Sequence, residues 1–310
     1  MSNENQLNKE VFTDAILEAF KKILPNIKLM STDVSTGLAS AGSKIRVELI
    51  GTAGEATQET KASDTPDYTG GDSSNNSTDV TLVRIWKTVH VTDPELQTGE
   101  ATLGVTLPKR TGFAANSVGQ KVWDLIASVV KTFTVGVSVD ADKTLTDDDV
   151  RSVLSTLNAA QTPADGRYLC LKDAVSLIPK QTITAGYTYD ATGVLTSAHG
   201  MAVIQAPGLP TVYVGTGANR VEVLGWAGHA SHLAFAARPT KASQDAEFLL
   251  NEAIVIDGGI AAGNRVWYFA NKSATFSTVE ALVGVAKGND GAVLIVRKAP
   301  TATVVPPPGG

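Results

Sequence analysis

Few side chains in this sequence are spaced for chemistry, and each group that comes near a reactive pattern breaks it. Residues 37–44, from Gly37 through Gly42 and Ser43 to Lys44, read as a phosphate-binding loop with its last two positions reversed. Such a loop cradles phosphate because a strand enters it and a helix leaves it. Here the alternation that follows predicts a strand, so the stretch reads as a connector. Gly215 and Gly217 open a dinucleotide-type turn, but Arg220 stands where the third glycine belongs. Asp140 and Asp142 begin like a calcium loop; Leu145 then takes the glycine position and Arg151 the bidentate glutamate position. His229 and His232 are three apart without a neighbouring cysteine or carboxylate, and read as structural histidines. His90 and His199 fall singly in expected strands. Cys170 lies in the apolar run Tyr168–Leu171 and reads as a small buried hydrophobe. There is no Gly-x-Ser-x-Gly elbow. Asn75, Asn76 and Asn271 match glycosylation sequons, which matter only on secretion. The expectation is a non-enzymatic protein without catalytic, metal or cofactor-binding residues.

Composition narrows the class further. The 310 residues carry 43% hydrophobic and 18% charged side chains, enough apolar material for a core. The formal net charge is -5, and no basic patch of the kind that grips nucleic acid stands out. Lys44, Arg46, Arg84, Lys87, Lys109, Arg110, Lys121 and Lys131 are scattered among apolar or acidic neighbours, and several are expected to pair with acidic residues of a neighbouring copy. A single cysteine rules out a disulfide framework within one chain and predicts a reducing compartment. The polar N-terminus has no signal-peptide core, and no apolar stretch reaches spanning length. Synthesis in a cytosol without a membrane partner is expected.

The elements follow from periodicity. Phe12, Ile16, Ala19, Phe20 and Ile23 make one face of a helix over 10–24, closed by Pro25. A polar stretch follows over 31–43, then a strand over 44–49. From Gly51 to Thr78 there is no Val, Ile, Leu, Met, Phe or Trp. A long polar excursion between two strands is functional or unstructured in most compact domains, and a two-stranded arm resting on a neighbour fits it. One long strand is expected over 79–92, with Val83, Ile85, Val89 and Val91 in phase. A second helix is expected over 117–131, with Ser117 and Gln120 at capping-box spacing. A third starts at Thr146, capped through Asp149. The remainder reads as strands at 166–171, 181–189, 200–205, 211–215, 252–257, 265–270, 279–286 and 292–298. Gly288-Asn289-Asp290-Gly291 is expected to close a hairpin between the last two. Residues 230–238 fit helix or strand equally.

Four segments carry a resemblance, in order along the chain. Residues 154–171 give a helix end, Pro163, then Gly166-Arg167-Tyr168 and a strand. Residues 193–210 give Gly193, a short turn, Gly200 opening an apolar strand, then Leu209-Pro210. Residues 232–239 give an apolar run with Ala234-Phe235. Val283-Gly284-Val285 stands in a closing hairpin. Together they resemble the tailed-bacteriophage major capsid family with the Hong Kong 97-type fold.

That resemblance implies an α+β chain divided into an N-terminal arm (1–43), an E-loop with flanking strands (44–92), a peripheral domain with a spine helix (93–145), an axial domain (146–240), peripheral return strands (241–275), axial closing strands (276–300) and an exposed tail (301–310). It implies a virion shell subunit, made in the host bacterial cytoplasm, that assembles through pentamers and hexamers around double-stranded DNA. The partners implied are further copies of the chain, scaffolding, portal and decoration proteins, and packaged DNA touched weakly. Glu55, Glu59, Lys61, Asp64, Asp67, Tyr68 and Asp72 of the excursion become candidate inter-subunit contacts. Lys61 with Asn271 or Asn289 would be the pair for a covalent crosslink, against which an ordinary surface lysine is the expected state. An encapsulin-type compartment shell is the alternative with the same fold.

Overall fold

The computed structural model describes residues 8–21, 27, 29–35, 37, 39–49, 77–140, 143–178, 186–216, 220–240, 248–255 and 260–298. The first half contains α1 (Lys9–Lys21), β1 (Ser31–Val34), β2 (Lys44–Glu48), β3 (Ser77–Thr81), β4 (Val83–Thr92), α2 (Asp93–Gln97), α3 (Thr106–Val130), β5 (Thr134–Val139) and α4 (Asp147–Ala159). Then come β6 (Tyr168–Leu171), α5 (Ala174–Leu177), β7 (Tyr187–Tyr189), β8 (Leu195–Ala198), β9 (Met201–Gln205), β10 (Tyr213–Val214), β11 (Val221–Gly228) and β12 (Leu233–Arg238). The chain closes with β13 (Leu250–Val255), β14 (Ala261–Phe269), β15 (Ala274–Lys287) and β16 (Val293–Lys298). It divides into two units, one of residues 1–129 and 229–289, the other of 130–228 and 290–310.

The first unit is organised by β15. Ala274–Ala281 pair with β14 while Ala274–Val283 pair with β4, so these two partners lie on opposite edges. Residues 282–287 pair with β12, whose other edge takes β1 in parallel register. One face of this sheet is covered by helices. Phe12 of α1 and Leu107 of α3 pack with Val91 and Val266, and the Thr111 hydroxyl donates to Ser277 at 2.8 Å. A Cβ on Gly112 would lie 3.4 Å from the Ala15 carbonyl oxygen, so α1 crosses α3 where the larger helix has no side chain. A separate β2–β3 ladder, Lys44↔Thr81 to Glu48↔Ser77, adds Val47 and Val80 to a second cluster with Ala234, Ala236 and Leu282.

The second unit holds a sheet ordered β5-β16-β11-β6-β9-β8-β7, with β10 also on β11. Its core joins Val150, Val153 and Leu157 of α4 to Leu169, Leu171, Val293 and Ile295 of the central strands. Thr146 caps α4 reciprocally with Asp149, as its spacing predicts. The Gly166-Arg167-Tyr168 run is a helix-end clamp. Arg167 is buried and donates to the Thr162 and Pro163 carbonyls just beyond α4 and to the Asn158 side chain in its last turn, tying the loop to the helix end.

The mixed α+β architecture agrees with the sequence, but several elements depart from it. Helix α3 begins eleven residues before Ser117, at Thr106. Pro108 falls in its first turn, where a missing N–H costs nothing, and Ser117 instead donates to the Phe113 carbonyl in mid-helix. The strand expected over 79–92 is split at Leu82, because β3 pairs with β2 and β4 with β15. Residues 230–238 are both forms, a 3-10 turn Ala230–His232 followed by β12. The Gly288–Gly291 hairpin does not exist. Strand β15 is already paired on both edges, and β16 lies in the other sheet between β11 and β5. Gly288 and Asn289 donate instead to the His232 and Ser231 carbonyls, and a Cβ on Gly288 would meet Ser231 O at 2.1 Å. Val283-Gly284-Val285 likewise lies inside β15. Strands β12 and β15, grouped by the sequence with 146–228, lie in the first unit.

Candidate functional site

All seven excursion residues singled out from the sequence (Glu55, Glu59, Lys61, Asp64, Asp67, Tyr68, Asp72) lie outside the described residues, as does the tail 301–310. What the structure describes is their frame: the excursion leaves after β2 and returns into β3, whose Glu48 and Ser77 face each other across the ladder.

The near-motifs resolve into local structure. Lys44 begins β2, so no helix follows the glycine-containing loop. Arg220 sits 4.0 Å over the Tyr213 ring, a cation–π contact. Asp140 is held by Lys143 at 2.9 Å and Lys298 at 3.1 Å; these hydrogen bonds push its carboxyl below the usual range. The His229 ring meets the Ser231 hydroxyl at 3.0 Å and His232 accepts from the His229 N–H, which ties up a buried 3-10 turn. Burial pushes the Cys170 thiol up, away from the reactive thiolate. Among the described residues no cluster of three His, Cys, Asp or Glu is placed to hold a metal.

A histidine clamp in the second unit was not foreseen from the spacing of its residues. His199 is not in a strand. It forms with Gly200 the two-residue turn between β8 and β9, both at positive φ (48° and 80°), the backbone of a type I′ hairpin. Its Nε2 lies 2.6 Å from Asp147 Oδ1 in the first turn of α4, and Arg151 Nε donates to the other oxygen at 2.7 Å. These hydrogen bonds hold the Asp147 carboxyl at about 2. A Cβ on Gly186 would meet His199 Nδ1 at 2.6 Å, so the second ring nitrogen lies against the Gly186 backbone. The arrangement pins a hairpin to a helix.

Four of the scattered cations have partners within the chain. Arg46 meets Asp79, Arg110 meets Glu95 at 2.8 Å, and Lys121 meets Asp124. Arg84 donates to Glu280, whose carboxylate is wholly buried and also takes Arg265 at 2.6 Å and the Thr240 hydroxyl. This buried ion cluster borders a hollow of about 370 Å³ on the sheet face that the helices leave open. Trp86, Thr88, Phe248, Trp267 and Thr278 line it with the two arginines. Trp267 stacks on Phe276 at 5.7 Å and meets Phe248 edge-on at 6.2 Å, while Trp86 is 60% exposed. Sequence reading followed the odd-numbered apolar residues of β4 and missed that 84, 86 and 88 present an arginine and a tryptophan on the other face.

No protein-family profile and no curated sequence relative matches the chain. Among solved structures, the asymmetric unit of the bacteriophage PhiM1 mature capsid matches 90% of this chain and 87% of its own at 9% identity and a TM-score of 0.51. The capsid of cyanophage P-SCSP1u matches at 12% identity and 0.48, covering 88% of each chain. A virus-like particle from Pyrococcus furiosus matches at 11% identity and 0.49, covering 92% of this chain and 98% of its own. The likeness to the PhiM1 capsid extends over the length of the chain. The fold is that of the tailed-phage capsid proteins, the Hong Kong 97 type.

Proposed function

We propose that this chain is the major capsid protein of a tailed bacteriophage and assembles through pentamers and hexamers into an icosahedral shell around double-stranded DNA. The observation that carries the reading is the fold shared with the PhiM1 capsid over nine-tenths of the chain. In this reading the first unit is the peripheral domain, with α3 as its spine helix, and the second unit is the axial domain. Residues 1–43 form the N-terminal arm. The excursion after β2 is the E-loop, which contacts a neighbouring subunit through Glu55, Glu59, Lys61, Asp64, Asp67, Tyr68 and Asp72. Many modest interfaces repeated by symmetry suffice to hold such a shell. A net charge of -5 suits a wall that encloses DNA with weak, non-specific contact. Scaffolding, portal and decoration proteins are the further partners.

Size-exclusion chromatography with light scattering of the expressed chain, alone and with a co-expressed scaffold, tests this. A megadalton species holding nuclease-protected DNA, or an empty shell, is expected. A shell filled with one host enzyme would turn the reading to an encapsulin-type compartment, and monomer under both conditions would overturn it.

A further inference from the structure

Basic residues far apart in the sequence gather at one end of the second sheet. There Glu222 of β11 lies opposite Tyr213 of β10 on one edge and Arg297 of β16 on the other. Directly opposed residues share a face, so the three form one row across the sheet. The Arg220 guanidinium sits 4.0 Å over the Tyr213 ring and adds a cation to one end of that row. Lys172 stands beside it, 3.5 Å from Glu222, and donates to the Thr211 hydroxyl at 2.8 Å. Lys298, opposite Val221, shares Asp140 with Lys143. The neighbouring Asp173 is engaged at the start of α5, where it accepts from the Ser176 N–H. Five cations thus meet two carboxylates, Asp140 and Glu222, in a chain whose net charge is -5.

The two arginines of the row are the ones left without a counter-charge. Arg297 lies across from Glu222, yet that carboxylate is met by Lys172. The Arg297 Nε is buried without a partner, and among the described residues no carboxylate meets its guanidinium. Arg220 holds the Tyr213 ring and, among the described residues, no carboxylate either. A partly buried cation without a counter-charge is stabilised by an external anion. Tyr213 and Arg297 are two strand spacings apart, roughly 10 Å, with Glu222 between them, so one small anion does not serve both arginines. Phosphates recur about every 3.4 Å along a DNA strand, and a row of this length spans about three of them.

We propose that this row, with Arg220, Lys172 and Arg297 as its cations, is the surface through which the chain touches the phosphate backbone of nucleic acid. The proposal rests on the shell reading, in which DNA is enclosed, and places its weak contact on one end of the second sheet. With no side chain reaching for base edges, the contact carries no sequence preference.

A salt titration of the full chain tests it. A short labelled duplex of random sequence is mixed with the chain before assembly conditions are reached, and binding is followed by fluorescence anisotropy; the same samples are then taken to assembly conditions and inspected by electron microscopy. Removing two phosphate contacts in Arg220→Gln/Arg297→Gln should reduce the slope of log affinity against log salt by about 2. Between about 50 and 200 mM salt the parent should therefore lose about tenfold more affinity than that variant. Arg220→Gln alone, at an exposed position, should reduce the slope by about 1. Lys87→Gln/Lys131→Gln removes the same charge at exposed positions elsewhere and should keep the parent's slope. Equal slopes in parent and arginine variants, or an equal fall in the lysine control, would overturn the surface, and particles in those samples would leave the shell reading standing. Displacement of the duplex by millimolar inorganic phosphate at constant ionic strength would reduce the row to a single-ion site and overturn the backbone contact. A polyglutamate peptide that displaces the duplex more effectively than unlabelled duplex does would assign the row to an acidic protein segment instead. Arginine-dependent binding without particles, with and without scaffold, would uphold the surface and overturn the shell reading. Neither particles nor arginine-dependent binding would overturn both.

Discussion

The two sheets of this chain treat their faces differently. In the second unit, all four residues of β6 are buried, and so are six of eight in β11. Tyr168, Cys170, Trp226 and Leu294 are fully buried in it, and Trp226 donates its indole N–H to the Tyr168 hydroxyl at 3.3 Å. Asp147, Arg151 and His199 stand at the edge of the core. In the first unit a carboxylate lies wholly buried within the sheet, paired with two arginines, and β4 keeps most of one face accessible. A sheet covered on both faces needs only apolar contents. A sheet covered on one face can hold an ion pair at its boundary and still offer an apolar, charged surface to a partner. The first unit leaves one face of its sheet partly open, whereas the central strands of the second are buried.

Two tryptophans measure that contrast. Trp226→Ala opens a cavity in the closed sheet and should cost about 4–5 kcal/mol by chemical denaturation. Next comes the buried ion cluster. Glu280→Ala leaves Arg265 nearly buried without its counter-charge and should cost about 3–4 kcal/mol, well above Arg84→Ala, whose side chain is half exposed. A loss equal to that of an ordinary surface pair would mean the cluster is solvated and the first sheet less closed on that edge than described. Gly225→Ala comes third. Its Cβ would meet the Cys170 carbonyl oxygen at 2.1 Å, where β6 and β11 are backbone to backbone, and a loss of about 2–3 kcal/mol is expected.

Acid sharpens the comparison more gently, because each unit has a carboxylate that its partners hold at about 2. Glu95 in the first unit is lowered from 4.5 to about 2, chiefly by the Arg110 guanidinium. Asp147 in the second is lowered from 3.8 to about 2, chiefly by His199. A depressed carboxyl contributes stability above its unfolded value and loses it as pH falls toward its folded one. Both contributions should therefore fade between about pH 4.5 and 2. Glu95→Gln and Asp147→Asn should each flatten that acid limb in melting curves, lowering Tm at neutral pH and converging with the parent chain near pH 2. The smallest effect belongs to Trp86→Ala, which should change the stability of the folded chain by less than about 0.5 kcal/mol.

Legibility in the sequence followed how local the cause was. Helix α4 could be read because its cap, first-turn acids and apolar stripe are contiguous. Helix α3 was read eleven residues short because Pro108 looks like a stop and is tolerated only in a first turn. Strand β11 was not among the expected strands: Gly225 and Gly228 interrupt its apolar run, and Gly225 is where another strand's backbone comes too close for a side chain. Gly288–Gly291 has hairpin composition, yet the pairing of β15 on both edges decides against it, and that pairing involves residues nearly two hundred positions away. His199 carried no signal, since its partner Asp147 is 52 residues distant. The open hollow left one trace, a tryptophan among the polar positions of an alternating strand.

The central claim is that this chain closes into shells, and electron microscopy of the purified protein tests it most directly. The account predicts uniform closed particles with five- and six-fold clusters of subunits on their surface, formed by the full chain alone or with its scaffold. Fields of separate monomers at every protein concentration, with and without scaffold, would contradict it.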